Sequence, residues 1–326
     1  MGVATTAPRS GARPDTQYPW CRPNLAGVRI RSRIRSRAVV GATILCASIL
    51  VTLPATTASA AHTAPTVAQP CGVHAATQSY QHVVWIVLEN VGYGVVGSPE
   101  APYLNHLISL CGLATNYHGT THPSLPNYIA LTSGSAQGIS DDNDPASHPL
   151  AAQSIFSQLN GKWRSYVESM PTPCDKVSAG EYAAKHNPAA YFTDLGATCA
   201  RNDVPLPAQP SFTQPFTFVT PNLCHDMHDC SVAAGDTWMR TFVPKVLSSP
   251  QYRSGSLVLA ITFDENTSGS TNHVPTIVIA PSVPRGLKVG AYLTHYSLLR
   301  TTEQLLRLSP LAGAKSARTM VGLFHL

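Results

Sequence analysis

The chain has 326 residues, 44% hydrophobic and 12% charged, with 22 Lys+Arg against 17 Asp+Glu and a formal net charge of +5. That balance excludes a disordered or coiled-coil protein and suits one large domain better than several small ones. The positive excess is local: residues 1–60 hold eight arginines and one acid, Asp15, which leaves 14 basic and 16 acidic groups (net −2) on the other 266, so no nucleic-acid partner is expected.

The Arg-rich start runs into AVVGATILCASILVTLPATTASA from Ala38, an apolar stretch closing on Ala58-Ser59-Ala60. This is the pattern of a secretory signal peptide cleaved near Ala60. A membrane anchor needs about 20 apolar residues, and this run is shorter and broken by Thr43, Ser48, Thr52 and Pro54. Residues 1–60 are therefore expected to be leader, and the product to be secreted, extracellular or cell-wall associated. No later segment is long and apolar enough for stable membrane insertion.

Cys21 and Cys46 belong to the leader, leaving Cys71, Cys111, Cys174, Cys199, Cys224 and Cys230. Six cysteines permit fifteen pairings, and none forms a C-x-x-C pair, so disulfides in an oxidising compartment are a better reading than zinc. Proximity favours 224–230 and 174–199, leaving 71–111.

Residues 61–78 are small, polar and Pro-containing, and read as a linker tied down at Cys71 before a domain over 79–326. The run from His82 to Leu88 is nearly all apolar, as in a strand buried on both faces of a parallel sheet. Helical spacing follows at 102–110 and 125–133. The stretch 138–215 is rich in Pro, Ala, Asn and Asp with little periodicity, and reads as a loop-rich insertion or cap. Strand patterns return at 216–220, 256–263 and 275–280, with helical patterns at 235–248 and 296–307. Strands alternating with helices predict an α/β fold, a mostly parallel central sheet with helices on both faces.

Ligands of such sheets bind beyond the carboxyl ends of the strands. There the sequence places Glu89-Asn90, then PNLCHDMHDC (221–230), then Asp264-Glu265-Asn266, with Asn272-His273 entering the last strand. Carboxylates, amides and imidazoles gathered at one edge repel unless a cation sits among them, so a divalent metal ion is expected. Glu89 and Asp264 are the leading ligands, Asn90 and Glu265 next, with Asp226, His228 and His273 serving a second site or the substrate. His225 and Asp229 flank the same segment. The donors admit Mg2+, Ca2+, Mn2+ or Zn2+.

In THPSLPNY (121–128), Ser124 opens a helix with Asn127 on its face, at a helix N-terminus that favours phosphate. A metal between Glu89 and Asp264 would activate that hydroxyl. There is no G-x-S-x-G elbow, which disfavours a Ser-His-Asp hydrolase. Asp141-Asp142-Asn143-Asp144 lacks EF-hand spacing and reads as a solvated turn. Asn266-Thr-Ser268 matches a glycosylation sequon, and Trp85 and Trp238 read as core.

Taken together, LEN (88–90), THPSLPNY, KHNP (185–188), PNLCHDMHDC, GDTW (235–238), TFDEN (262–266), NHVPT (272–276) and THYSLLRT (294–301) resemble the bacterial secreted phosphoesterases. That family holds acid phosphatases and phospholipase C enzymes of the alkaline-phosphatase superfamily, and the likeness covers about residues 80–310. It implies hydrolysis of phosphate esters through a phosphoserine on Ser124, with Asn127 orienting phosphate and Glu89 and Asn90 as first-strand ligands. The superfamily's Asp-His ligand pair falls on Asp264-Glu265, a harder, oxygen-rich site. Its D-x-x-x-H zinc pair is missing from PNLCHDMHDC, which leaves Asp226 and His228 open as ligands. His228 could instead protonate the leaving alkoxide, and Lys185, His186 and His225 contact substrate. The expected substrate is a small-molecule or lipid phosphate monoester, turned over best at acid pH. A phospholipase C-type phosphodiesterase and a non-catalytic secreted binding protein are the alternatives. The sequence carries no sign of oligomeric state.

Overall fold

A computed structural model describes residues 64–74, 79–267 and 271–326. The leader, Cys21, Cys46 and both ends of the 61–78 linker (61–63 and 75–78) lie outside the described residues. Among the described residues nine strands form one sheet: β1 (His82–Leu88), β2 (Gly112–His118), β3 (Trp163–Val167), β4 (Asp203–Pro205), β5 (Phe216–Thr220), β6 (Leu257–Phe263), β7 (His273–Ile279), β8 (Lys288–Val289) and β9 (Leu293–Thr294). Their order is β4-β3-β5-β1-β6-β7-β2-β8, with β9 also on β2. Every pairing is parallel except those of β7, which runs against β6 and β2. The start of β7 therefore shares an edge with the ends of its neighbours.

The four longer helices are α1 (Pro102–Leu110), α2 (Ser124–Ser133), α3 (Val232–Leu247) and α4 (His295–Leu305). α1 packs with α3, and α2 with α4. Every residue of β5 and β6 is buried, which requires cover on both faces of the sheet. Trp85 from β1 is fully buried, meets Phe216 edge-on and donates its indole N–H to Thr302 of α4 at 3.0 Å, and Trp238 of α3 is buried as well.

The stretch 138–215 is more than an insertion, because it supplies β3 and β4, the strands at one end of the sheet order. Neither carries an apolar run. Ser165, in the middle of β3, and Asp203, which opens β4, are both fully buried polar residues. β2 (GLATNYH) was likewise hidden by its polar residues.

Among the described residues three disulfides are present, Cys71–Cys111, Cys174–Cys199 and Cys224–Cys230, as proximity favoured. Asp236 of GDTW accepts the Tyr103 and Leu104 N–H groups at 3.0 and 2.8 Å, satisfying the open N-terminus of α1 from a neighbouring helix. Gly235 beside it has no room for a side chain: a Cβ would stand 2.4 Å from Met227 Cγ and 2.8 Å from the His225 carbonyl. That close approach seats the Pro221–Cys230 loop on α3. Among the described residues no helix is long and apolar enough to cross a membrane.

Candidate active site

The loops that follow β1, β2, β5 and β6 converge at one edge of the sheet. Glu89 leaves β1 fully buried, its N–H donating to the Asp226 carbonyl at 2.8 Å. Ser124 opens α2 after the turn that leaves β2 and donates its Oγ–H to Glu89 Oε2 at 2.9 Å. Asp264, fully buried after β6, accepts the Asn90 N–H at 3.1 Å, and Asn90 makes the tight exit from β1 with φ +51°. Gly119 lies where these loops cross and has no room for a side chain: a Cβ would stand 2.5 Å from Asn272 Nδ2 and 2.7 Å from the Asp264 carbonyl.

His186 is buried between two of these carboxylates, Nε2 at 3.1 Å from Glu89 Oε1 and Nδ1 at 3.2 Å from Asp226 Oδ2. Burial, then the charges of Lys185 and His228, hold its imidazole well below the ordinary range, so it is neutral with one N–H to share between two acceptors. Neither contact has hydrogen-bond geometry. Among the described residues Glu89 Oε1, Asp226 Oδ2 and Asp264 Oδ2 are buried without a hydrogen-bond partner.

The electrostatic cost appears in the carboxyls. Burial, then Asp264 and Asp226, pushes Glu89 well up. Asp226 and Asp264 are each pushed up to about 7, chiefly by burial, against backbone N–H groups that favour the charged form. Glu265 is pushed up to about 8 by burial and by Asp264 and Asp142. Four buried acids that resist ionising in each other's company are the donor set a hard divalent cation satisfies. A grouping of three ligand atoms already within 4.8 Å of one another occurs, among the described residues, at Cys174, Cys199 and Asp203, where both sulfurs are in a disulfide.

Asn127 is fully buried and engaged within the chain. Its Oδ1 accepts the Thr120 and Thr121 N–H groups at 2.9 and 3.0 Å, and its Nδ2 donates to the Thr121 and Pro123 carbonyls and to Glu265 Oε2. It shapes the turn that presents Ser124. His122 also reaches Glu265, at 2.7 Å.

Asp142 accepts the Leu125 N–H at 2.9 Å, occupying one donor of the α2 N-terminus, and holds Lys185 Nζ at 3.0 Å. It belongs to the site rather than to a solvated turn. Burial opposes the charge on Lys185, but Glu89 and Asp142 keep its ammonium above the ordinary range. His228 donates its N–H to Asp226 Oδ1, pairs through Nδ1 with Asp229 at 2.7 Å, and sits with its ring 5.9 Å from that of His186.

Two expected members are engaged elsewhere. His225 pairs with Glu168 at 2.9 Å and stacks on Trp238. His273 is stacked between Tyr93 and His118, with Nε2 at 3.0 Å from the Thr115 carbonyl. His295, by contrast, is a buried support: Nε2 donates to the Asp264 carbonyl and Nδ1 accepts from Tyr117. Asn266 of the sequon is buried and bonded to Asn272. The sequence signal for Asp142 was its place between Ser124 and Lys185; for His122, its place two residues before the nucleophile candidate.

The chain is 30% identical over 249 residues to a phosphatidylinositol-3-phosphatase of Mycobacterium tuberculosis, covering 74% of this chain and 82% of that protein. It is 28% identical to an acid phosphatase of Aspergillus fumigatus over 66% of this chain, but spans about half of that protein's length, 52%. Among solved structures, a protein in the alkaline phosphatase superfamily from Vibrio parahaemolyticus matches with a TM-score of 0.52 at 13% identity, over 74% of this chain and 71% of that one. A lipoteichoic acid synthase from Listeria monocytogenes matches with a TM-score of 0.51 at 10% identity, over 74% of each. These likenesses share the fold. The Phosphoesterase family profile matches residues 89–309, from the candidate ligand Glu89 to beyond α4, and the chain belongs to the Phosphoesterase family.

Proposed function

We propose that this chain is a secreted, metal-dependent phosphatase that cleaves phosphate monoesters through a phosphoserine on Ser124. It is a phosphoric ester hydrolase by family, and the observation that carries the finer reading is the 2.9 Å bond from Ser124 Oγ to Glu89, a buried carboxylate among other buried carboxylates at the sheet edge. The three unpartnered oxygens of Glu89, Asp226 and Asp264 fit a divalent cation, held by Glu89 and Asp264 with Asp226 and His186 beside it. When bound, such an ion neutralises the carboxylates, polarises the phosphoryl oxygens and lowers the pKa of the serine hydroxyl.

Ser124 Oγ attacks phosphorus in line and its proton passes to Glu89 Oε2, which already accepts it in a hydrogen bond. Lys185 supplies a positive charge for the phosphoryl oxygens, fixed in place by Asp142. His228, oriented by Asp229, gives a proton to the departing alkoxide. Water then attacks phosphoserine, His228 takes a proton from it, and Ser124 recovers its own from Glu89. Asn127 and His295 position Ser124 and Asp264. The mycobacterial relative's name makes phosphoinositides part of the expected substrate range.

Ser124→Ala is expected to lower kcat for p-nitrophenyl phosphate by about 10³-fold or more. Wild type quenched in acid during turnover is expected to carry phosphate on Ser124 by mass spectrometry. Retention of most of the activity in the variant would remove Ser124 as nucleophile.

A further inference from the structure

Behind the residues around Ser124 lies a cavity of about 390 Å³. Its near wall is made by Lys185, Asp142 and His228, each one contact away from the groups that hold Ser124: Lys185 adjoins His186, Asp142 binds the N–H of Leu125, and His228 faces His186. Its far wall is a tight hairpin in which Ala179 and Tyr182 exchange both backbone hydrogen bonds at 3.0 Å.

The walls are pinned. Ser178 Oγ donates to Asp144 and accepts the Ala184 N–H, the Leu223 N–H reaches the Glu181 carbonyl at 3.0 Å, and Cys224–Cys230 closes the loop that carries His228 and Asp229. A cavity held this way is formed before anything enters, so a ligand spends little binding energy on ordering it.

We propose that this cavity receives the alcohol half of the ester, and that it selects a neutral polyhydroxylated alcohol. This deepens the monoesterase reading and rests on it. Asp142 and Asp229 offer carboxylate oxygens that accept from hydroxyls, and Lys185 offers N–H groups that donate to them. An alkyl chain entering the same space would strip water from three charged groups without replacing its hydrogen bonds. A small anionic alcohol such as glycerate, which would bring its charge into the cavity with its hydroxyls, would meet two carboxylates. Ligand pockets run from roughly 300 to 1,000 Å³, so this one, near the lower limit, suits a single ring or short polyol, with any phosphodiester and acyl chains of a larger ester left outside.

The test is a substrate panel of phosphate monoesters in which kcat/KM for inositol 1-phosphate, decyl phosphate and 3-phosphoglycerate is each divided by that for methyl phosphate, whose alcohol is too small to fill the cavity. Wild type is expected to favour inositol 1-phosphate over both rivals by about tenfold or more. Ala179 is exposed on the hairpin, so the cavity can be narrowed from its rim. Ala179→Trp should lower the inositol ratio about tenfold, and Ala179→Lys should raise the 3-phosphoglycerate ratio several-fold by adding positive charge there. Methyl phosphate turnover reports in the same assay that each variant is folded. A wild type preferring decyl phosphate or 3-phosphoglycerate, or ratios indifferent to both substitutions, would overturn the cavity's role and leave the monoesterase reading standing. Absence of turnover on every ester in wild type would overturn both.

Discussion

At Asp203 a carboxyl group sits fully buried, accepting from Asn187 Nδ2 at 2.7 Å, and burial pushes its pKa up to about 7. The unfolded chain would titrate it near 4. A folded pKa above the unfolded one means the native state holds the proton longer, so its stabilising contribution is complete below about pH 4 and is lost as pH rises through about 7. Roughly three pKa units correspond to about 4 kcal/mol across that window. Asp203→Asn, which keeps the shape without the charge, should flatten the decline of Tm between pH 5 and 8; an unchanged slope would show that this carboxyl does not drive it. The residue scale is also where the sequence was most and least informative. The meeting of Glu89, Ser124 and Asp264 at one sheet edge was legible because each follows or opens a regular element, and strand ends advertise what they carry. Asp142 and the burial of His186 between Glu89 and Asp226 were not, because both depend on how an aperiodic segment folds back over the sheet edge.

Elements with a continuous apolar run were read from sequence to within one or two residues: β1, β5 and α1 match to the residue, and β6 is shifted by one. β3 and β4 were missed because polar side chains occupy buried positions there, Ser165 standing directly beside Asp203. Periodicity detects a strand only when burial is done by apolar groups. The seam between α3 and the Pro221–Cys230 loop offers a test at this scale. Gly235→Ala would press a methyl group onto Met227 and the His225 carbonyl, at an expected cost of about 1–3 kcal/mol, and would move the backbone that carries Asp226 and His228. Its kcat should fall more than its KM rises. Gly94→Ala, where nothing lies within 4 Å, should leave stability and kinetics as they are. Equal behaviour of the two variants would argue against the seam as the device that seats the loop.

For the whole molecule, the buried carboxylates at the sheet edge make the fold itself a reporter of cation binding. A ligand that binds only the native state stabilises it by about 2.7 kcal/mol when its concentration is 100 times its Kd. Chelator treatment should therefore lower Tm as well as activity, and a divalent cation should restore both, while Glu89→Gln together with Asp264→Asn should lose the cation-dependent rise in Tm. A wild-type Tm indifferent to chelator and cation would remove the metal from the reading. The disulfide pattern was legible at this scale from proximity alone, because two short loops left one long pair. That long pair has a consequence for handling the protein. Cys71–Cys111 encloses β1, the Glu89 turn and α1, and the backbone around Cys71 is bonded as well, through Tyr252 to the Pro70 carbonyl and from Val73 to the Pro281 carbonyl. A protease that cuts the chain once between residues 71 and 111 would leave two fragments that migrate as one band on a denaturing gel until a reductant is added.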